Sequence, residues 1–169
     1  MTLVEYIQQQ VRLTHWGGAE TFADLTAAQF NWTPPGRANS IAVTLLHAYG
    51  IEDAFIQGKL LQQPQLWASG GWAAKVGMAE IPDLGNAWAG TRTVTLAKAA
   101  VLAYGQAVQA ATERYLTTLS AADLEQPMQM GPRMGTVAEL LSILVIHNIS
   151  HSGEIAALKG IQGLQGQVA

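Results

Sequence analysis

The stretch from Thr136 to Gly160 constrains the fold most, because it carries the sequence signs of one long helix. It reads TVAELLSILVIHNISHSGEIAALKG. Thr136, followed three positions later by Glu139, matches a capping box, in which two side chains satisfy backbone N–H groups at the start of a helix. Lys159 and Gly160 are typical of a helix C-terminus. The pattern therefore predicts a helix over residues 136–160.

Two histidines, His147 and His151, lie one turn apart in this predicted helix. Four residues at about 100° each place their side chains about 40° apart around the axis and about 6 Å apart along it. Both continue a stripe of apolar residues at helical spacing. That stripe consists of Val137, Leu140, Leu141, Leu144, Ile155 and Leu158. The two imidazoles are therefore predicted to face inward and to lean toward one point.

Apolar residues that recur every three or four positions predict further long helices upstream. The first runs from Thr2 to about Ala23, the second from Ile41 to Leu60 and the third from about Thr93 to Leu119. The alternation typical of strands is not sustained over four residues, so no β-structure is predicted. The predicted fold class is all-α, a four-helix bundle of antiparallel long helices.

Residues 62–92 form an irregular connection between the second and third predicted helices. They contain three tryptophans and sustain neither a helical nor a strand period. A loop of this length is uncommon inside a compact domain, and such loops often act as lids or binding segments. An ordered flap packed by its own tryptophans is the alternative, and the sequence does not separate the two.

Length and composition limit the class of protein. The 169 residues predict one domain over residues 1–160, followed by a loose tail over residues 161–169, which shows no period. Charged residues make up 12%, against about 25% in soluble proteins generally, which favours a homodimer that buries part of the exterior. A net charge of -3 with scattered Lys and Arg argues against a nucleic-acid partner. We expect a cytoplasmic protein without membrane contact, since no targeting or spanning segment is evident.

Three histidines suggest a metal site. The chain has no cysteine, so metal ligands must be nitrogen or oxygen atoms. His47 lies on the apolar face of the second predicted helix and would meet His147 and His151 in the core. Three buried imidazoles without partners would cost a few kcal/mol each, whereas one divalent ion satisfies a nitrogen of each ring. We therefore predict one divalent metal ion per chain, with zinc or nickel first and iron or manganese also compatible.

The residues around the histidine pair differ from a known protease motif. Asn148 stands where the H-E-x-x-H motif of metalloproteases has its catalytic glutamate. Glu154 follows His151 by three positions, which makes it the candidate catalytic residue, either as a hydrogen-bond acceptor for a ligand or as a general base. A solvated surface position is the alternative for Glu154.

The remaining polar candidates are given structural roles. His15 is expected at the surface or at the end of the first helix, outside the metal site. Glu52 and Asp53 follow His47 by five and six positions, so at least one of them must turn away from its face of the helix. Both are expected to be exposed or paired with a cation.

Three segments of the chain together resemble the DinB/YfiT-like superfamily of damage-inducible bacterial proteins. In order they are LTAAQFNWTP, NSIAVTLLHAYGIEDAFI and HNISHSGEIAALKGIQGLQG. The resemblance implies a four-helix bundle, frequent homodimers and a metal held by three histidines, which correspond here to His47, His147 and His151. It also implies a class of activity, since members include thiol-dependent S-transferases that use bacillithiol and a mycothiol-dependent isomerase.

The functional expectation is a metal-dependent enzyme that acts on a small molecule. The resemblance implies a low-molecular-weight thiol as one substrate, transferred to an electrophile. Three nitrogen ligands leave a position open, and a bound metal can lower the pKa of water toward about 7 or stabilise a thiolate. A hydrolase using metal-bound water is the near variant. The alternatives are a non-catalytic, stress-associated metal-binding dimer and a metal-free binding module walled by the tryptophan-rich segment.

Overall fold

The computed structural model describes residues 1–15, 22–82 and 88–166, and helices dominate this part of the chain. In chain order the helices are α1 (Leu3–Thr14), α2 (Ala27–Asn31), α3 (Ile41–Asp53), α4 (Leu66–Ser69), α5 (Trp72–Val76), α6 (Lys98–Thr118), α7 (Ala121–Leu124) and α8 (Val137–Ile161). A π-helix, Ala54–Leu60, directly continues α3, and a 3₁₀-helix, Trp88–Thr93, precedes α6. Two strands, β1 (Pro127–Met130) and β2 (Arg133–Thr136), precede α8.

Helix α3 is the centre of the fold, because every one of its residues is buried. It packs against α6 on one side and α8 on another, and α8 also packs against α1. Leu45 of α3 lies in an apolar cluster with Val101 of α6, and Val11 of α1 lies in a second cluster with Leu144 of α8. Each such side chain contributes about 1.5–3 kcal/mol when fully buried. The prediction of a mainly helical fold is confirmed.

The start of α8 agrees with the sequence prediction, and its end lies slightly later. The Thr136 side chain accepts a hydrogen bond from the Glu139 N–H, and the Glu139 carboxylate accepts one from the Thr136 N–H at 3.0 Å. The helix continues through Gly160 to Ile161, and the left-handed residue is Gly163, with φ of +77°. Beyond it, Leu164 packs against the core. This part of the predicted loose tail therefore contacts the helices.

The first predicted helix is wrong at its C-terminal end. Helix α1 stops at Thr14, whose hydroxyl donates to the Val11 carbonyl at 2.7 Å, and His15 follows with an extended backbone. The turn at residues 22–24 is not helical, and residues 16–21 lie outside the described part. The third predicted helix is also too long, since α6 begins at Lys98.

A β-hairpin that the sequence analysis did not predict leads into α8. Strands β1 and β2 pair antiparallel from Pro127 opposite Thr136 to Met130 opposite Arg133. Gly131 begins the two-residue turn with φ of +64°, a conformation that two-residue hairpin loops require and glycine adopts readily. Strands of four residues are too short to show an alternating pattern, which explains why this element was missed.

The described part of residues 62–92 is an ordered flap. Buried Asp53 accepts hydrogen bonds from the backbone N–H groups of Leu66 at 3.0 Å and Trp67 at 2.9 Å, so it caps α4. The rings of Trp67 and Trp72 pack 5.2 and 5.6 Å from the ring of Tyr104 on α6. The tryptophans thus attach the flap to the core. Within the described ranges, no helix combines the length and apolar character needed to cross a membrane.

Candidate metal centre

His47 is placed at the site by the middle of α3, where its side chain is almost completely buried. Its Nδ1 lies 2.6 Å from the carbonyl oxygen of Pro82. A carbonyl only accepts hydrogen bonds, so Nδ1 carries the ring proton and Nε2 presents a lone pair. Gly50, one turn further along α3, makes this contact possible, because a Cβ there would lie 2.5 Å from Cγ2 of Ile81.

The three predicted ligands come together in the structure. Nε2 of His147 lies 3.0 Å from Nε2 of His47 and 3.2 Å from Nε2 of His151. One ring nitrogen from each residue lies within 4.8 Å of the other two. The pair on α8 therefore leans toward one point, as its spacing predicts, and α3 supplies the third ring from a position 100 residues away in sequence.

The separations of these nitrogens fit a shared cation. Nitrogens bound to one zinc ion at about 2.0–2.1 Å, with angles of about 90–110°, lie about 2.8–3.4 Å apart. Lone pairs that face each other at such distances repel, whereas a cation between them attracts all three. Within the described ranges, this is the group of His, Cys, Asp or Glu side chains that could hold a metal ion. The residues present therefore fit the metal that the sequence analysis expects.

Glu154 fixes the orientation of His151. Its Oε2 lies 2.8 Å from Nδ1 of His151, so Nδ1 donates to the carboxylate and Nε2 is left for a ligand role. This hydrogen bond holds the pKa of Glu154 below its usual range, and the neighbouring imidazoles favour the carboxylate further. Because Glu154 contacts the Nδ1 edge, it lies on the side of the ring away from the nitrogen cluster.

The electrostatics of His147 favour its neutral form. Burial lowers the pKa of His147 to about 4, and the adjacent rings of His151 and His47 act in the same direction. The ring is therefore uncharged near pH 7, which is the form that binds metal. His147 and His151 are only half-buried, so solvent reaches their side of the cluster. On the other side, Trp88 packs edge-on against His47, with ring centroids 4.5 Å apart.

His15 lies outside the nitrogen cluster, as expected, at the end of α1. Its Nε2 is 2.9 Å from Oε1 of Glu52. The expectation of exposure or pairing with a cation is wrong for Asp53 and incomplete for Glu52, because both carboxylates are buried and accept hydrogen bonds from neutral donors. The physical reason is that α3 is buried on all faces, so neighbouring elements, and not water, must supply their partners.

Comparisons with known proteins show the family of the chain. The profile of the DinB superfamily matches residues 18–155, a range that contains His47, His147 and His151. Among solved structures, the crystal structure of a conserved protein from Enterococcus faecalis is similar, with a TM-score of 0.80 and 22% sequence identity over 96% of this chain and 99% of that chain. That likeness concerns the fold. No curated protein matches the chain. Because the profile covers most of the sequence, the chain belongs to the DinB superfamily.

Proposed function

We propose that the protein is a metal-dependent enzyme in which His47, His147 and His151 bind one divalent ion, zinc or nickel in the first instance. The observation that carries the proposal is the convergence of three Nε2 atoms. The partners of His47 and His151 hold the ring protons on the opposite nitrogens. Catalytic sites typically combine three protein ligands with a position open to substrate, whereas structural sites are closed by a fourth ligand. The exposure of the α8 histidines favours the open kind.

The proposed reaction is transfer of a low-molecular-weight thiol to a small electrophile. A carbon–sulfur bond forms as the leaving group departs with its electron pair and the thiol proton passes to solvent. A divalent ion at this site would supply Lewis acidity that favours the thiolate. The support is the resemblance to a superfamily whose members include thiol-dependent S-transferases, together with the lack of cysteine, which means that the reacting sulfur must belong to a substrate. Glu154 would hold His151 in its orientation, and Trp88 would shield His47 from water.

We propose further that α1, α3, α6 and α8 form a four-helix bundle and that two chains pair through α8. Three isoleucines on the outer face of α8 support pairing, since Ile143, Ile146 and Ile149 are 39%, 65% and 57% exposed. The one charged side chain between Leu140 and Leu158 is Glu154, with the histidines counted as neutral. A helix face of this kind gains free energy when it is covered by a second apolar surface.

Metal content tests the site directly. Protein purified without chelators is analysed for bound transition metals as wild type, as His147→Ala and as Ser150→Ala, a control on the same helix with an exposed side chain. The expected result is about one ion per chain in wild type and control, with a large loss in His147→Ala because one of three ligands is gone. Equal metal content in all three proteins would remove the site assignment.

Activity measurements test the reaction separately. Consumption of a thiol such as a cysteinyl pseudodisaccharide or simple cysteine derivatives is followed with a panel of electrophiles, using metal-loaded wild type and His147→Ala. Thiol loss that depends on His147 supports the transferase. Ester cleavage without thiol would instead indicate the hydrolase variant. Bound metal whose removal unfolds the protein, with no turnover of either kind, would indicate a structural site.

A further inference from the structure

The buried carboxylate of Glu52, on α3, contacts none of the three clustered imidazoles directly. Glu52 is 1% exposed. Its Oε1 accepts hydrogen bonds from the Thr112 hydroxyl at 2.6 Å and from Nε2 of His15 at 2.9 Å. Its Oε2 accepts one from Nδ2 of Asn148 at 3.1 Å. Asn148 directly follows His147 and is itself 4% exposed. Removing a carboxylate from water is energetically costly, so its burial here calls for a reason.

The contacts of Asn148 determine which way its amide points. Nδ2 faces the Glu52 carboxylate and lies 3.4 Å from Oγ1 of Thr14. The Thr14 hydroxyl proton is already donated to the Val11 carbonyl, so Oγ1 is an acceptor toward Asn148. Two acceptors on one side of the amide require the NH₂ group there. The amide oxygen must therefore face the other way.

On that other side lies the metal-site ring. Oδ1 of Asn148 is 3.5 Å from Nδ1 of His147, at the outer limit of a hydrogen bond. An amide oxygen only accepts, so this arrangement favours the proton on Nδ1 and leaves the lone pair on Nε2, where the cluster forms. His47 and His151 obtain the same proton placement from direct contacts with a carbonyl and a carboxylate. For His147, the Asn148 amide oxygen favours this proton placement.

We propose that Glu52 is a positioning residue for His147, because it orients the Asn148 amide and thereby selects the imidazole tautomer that binds metal through Nε2. The inference deepens the proposed metal site and rests on it for its functional meaning. Hydrogen-bond partners behind metal-bound histidines commonly set the tautomer and orientation of the ring. Here the Glu52 carboxylate, on α3, acts on His147 of α8 indirectly, through the side chain of Asn148.

Glu52→Gln gives a sharp test, because the structure predicts how the substituted side chain would sit. Thr112 and His15 both donate to the Oε1 position, so the oxygen of the new amide stays there and its NH₂ group faces Asn148. The Asn148 amide must then turn its oxygen toward that NH₂ group and its own NH₂ toward Nδ1 of His147. This orientation of Asn148 disfavours the His147 tautomer with its proton on Nδ1 and favours the tautomer with its proton on Nε2, which cannot bind metal at that nitrogen.

Two measurements are made on the same proteins. Long-range ¹H–¹⁵N NMR spectra of the metal-free protein report the tautomer of His147, whose signals are assigned by their loss in His147→Gln. Zinc affinity is measured by competition with a chromophoric chelator. In the metal-free protein, the Nε2 lone pairs of His47 and His151, at 3.0 and 3.2 Å, also attract the His147 proton to Nε2, so the readout is the fraction of each tautomer. In Glu52→Gln we expect the fraction of His147 with its proton on Nδ1 to fall and zinc affinity to fall about 10- to 100-fold.

Glu113→Gln is the matched control. Glu113 also approaches His15, at 3.6 Å from its Nδ1, but lies on the side of His15 away from Glu52, where it pairs with Arg12 at 2.8 Å. The substitution removes a carboxylate from the same neighbourhood without touching Asn148. The His147 tautomer and zinc affinity should match those of wild type.

The inference requires both changes together. An unchanged fraction of Nδ1-protonated His147 in folded Glu52→Gln would overturn it. A loss of zinc affinity without a change in that fraction would overturn it too, because Glu52 would then act through its charge alone. If Glu52→Gln does not fold, Asn148→Ala carries the same readouts, since it leaves Glu52 with Thr112 and His15. The fraction of His147 with its proton on Nδ1 should fall in this variant as well. Wild type that binds no zinc would refute the proposed function, while the metal-free NMR comparison would still decide the role of Glu52.

Discussion

Gly50→Ala should weaken metal binding by displacing the carbonyl that orients His47. An alanine Cβ would lie 2.5 Å from Cγ2, 2.9 Å from Cδ1 and 3.3 Å from Cβ of Ile81, whereas ordinary contact begins at 3.4 Å. The Ile81 side chain branches at Cβ and is therefore stiff at χ1, so we expect its backbone to move while its rotamer is kept. A backbone shift of about 0.9 Å away from α3 would lengthen the 2.6 Å contact between Pro82 and His47 to about 3.5 Å, the limit of a hydrogen bond.

The expected cost to folding is modest, and the expected cost to metal binding is larger. Overpacking costs about 1–3 kcal/mol, and replacing glycine by alanine inside a helix returns about 1 kcal/mol, so the free energy of unfolding should fall by about 0–2 kcal/mol. Loss of the Nδ1 acceptor should lower zinc affinity about 10-fold or more. Chemical denaturation of the metal-free protein and chelator competition measure the two quantities.

Gly153→Ala is the control for this pair of measurements. Gly153 lies on α8 two residues from His151, and an added Cβ there meets nothing within 4 Å. It should raise stability by about 0.5–1 kcal/mol through helix propensity and leave zinc affinity unchanged. Unaltered zinc affinity in Gly50→Ala would show that the Pro82 carbonyl does not set the orientation of His47, and the argument for that contact would fail.

Three further predictions follow from charge, burial and exposure. Burial lowers the pKa of His147 to about 4, so the unfolded chain binds a proton at this residue before the folded chain does on acidification. The stability of the metal-free protein should therefore fall as the pH drops from about 6.5 to 4. The denaturation midpoint of His147→Gln should depend less on pH. Ile146→Glu should yield folded monomers in light scattering, whereas Thr117→Glu on exposed α6 surface should leave dimers intact. Tyr104→Phe removes a 2.7 Å hydrogen bond to buried Asp53 and should cost about 1–3 kcal/mol in denaturant titrations, with zinc affinity unchanged.

The parts of the fold that were predicted correctly depend on local sequence. The cap at Thr136 and the inward direction of His147 and His151 follow from spacing within one helix, and both are observed. The end of α1 was misplaced because it is set by the hydrogen bonds of Thr14 and by the turn of His15 toward Glu52. The Glu52 partner is distant in sequence and leaves no periodic signal.

The support of the metal site was not predictable from helical periodicity. The acceptor for His47 is a backbone carbonyl at Pro82, and any residue type carries a backbone carbonyl. The partners of Glu52 come from α6, α8 and the residue that follows α1, so a carboxylate assigned to solvent is surrounded by protein. One signal was present in the sequence: Ile41 to Ile51 contains no Asp, Glu, Lys or Arg on any side of the helix, which is typical of a helix buried all round.

The span of 100 residues between His47 and His147 gives a bound ion a second effect, on the whole molecule. It would connect α3 to α8 as a reversible cross-link. If the ion binds the folded form alone, it would add about 2.7 kcal/mol of stability when free metal is at 100 times its dissociation constant. Metal supply and protein lifetime would then be coupled. A cell short of the ion would lose the chain itself faster, through unfolding and proteolysis, as well as its chemistry.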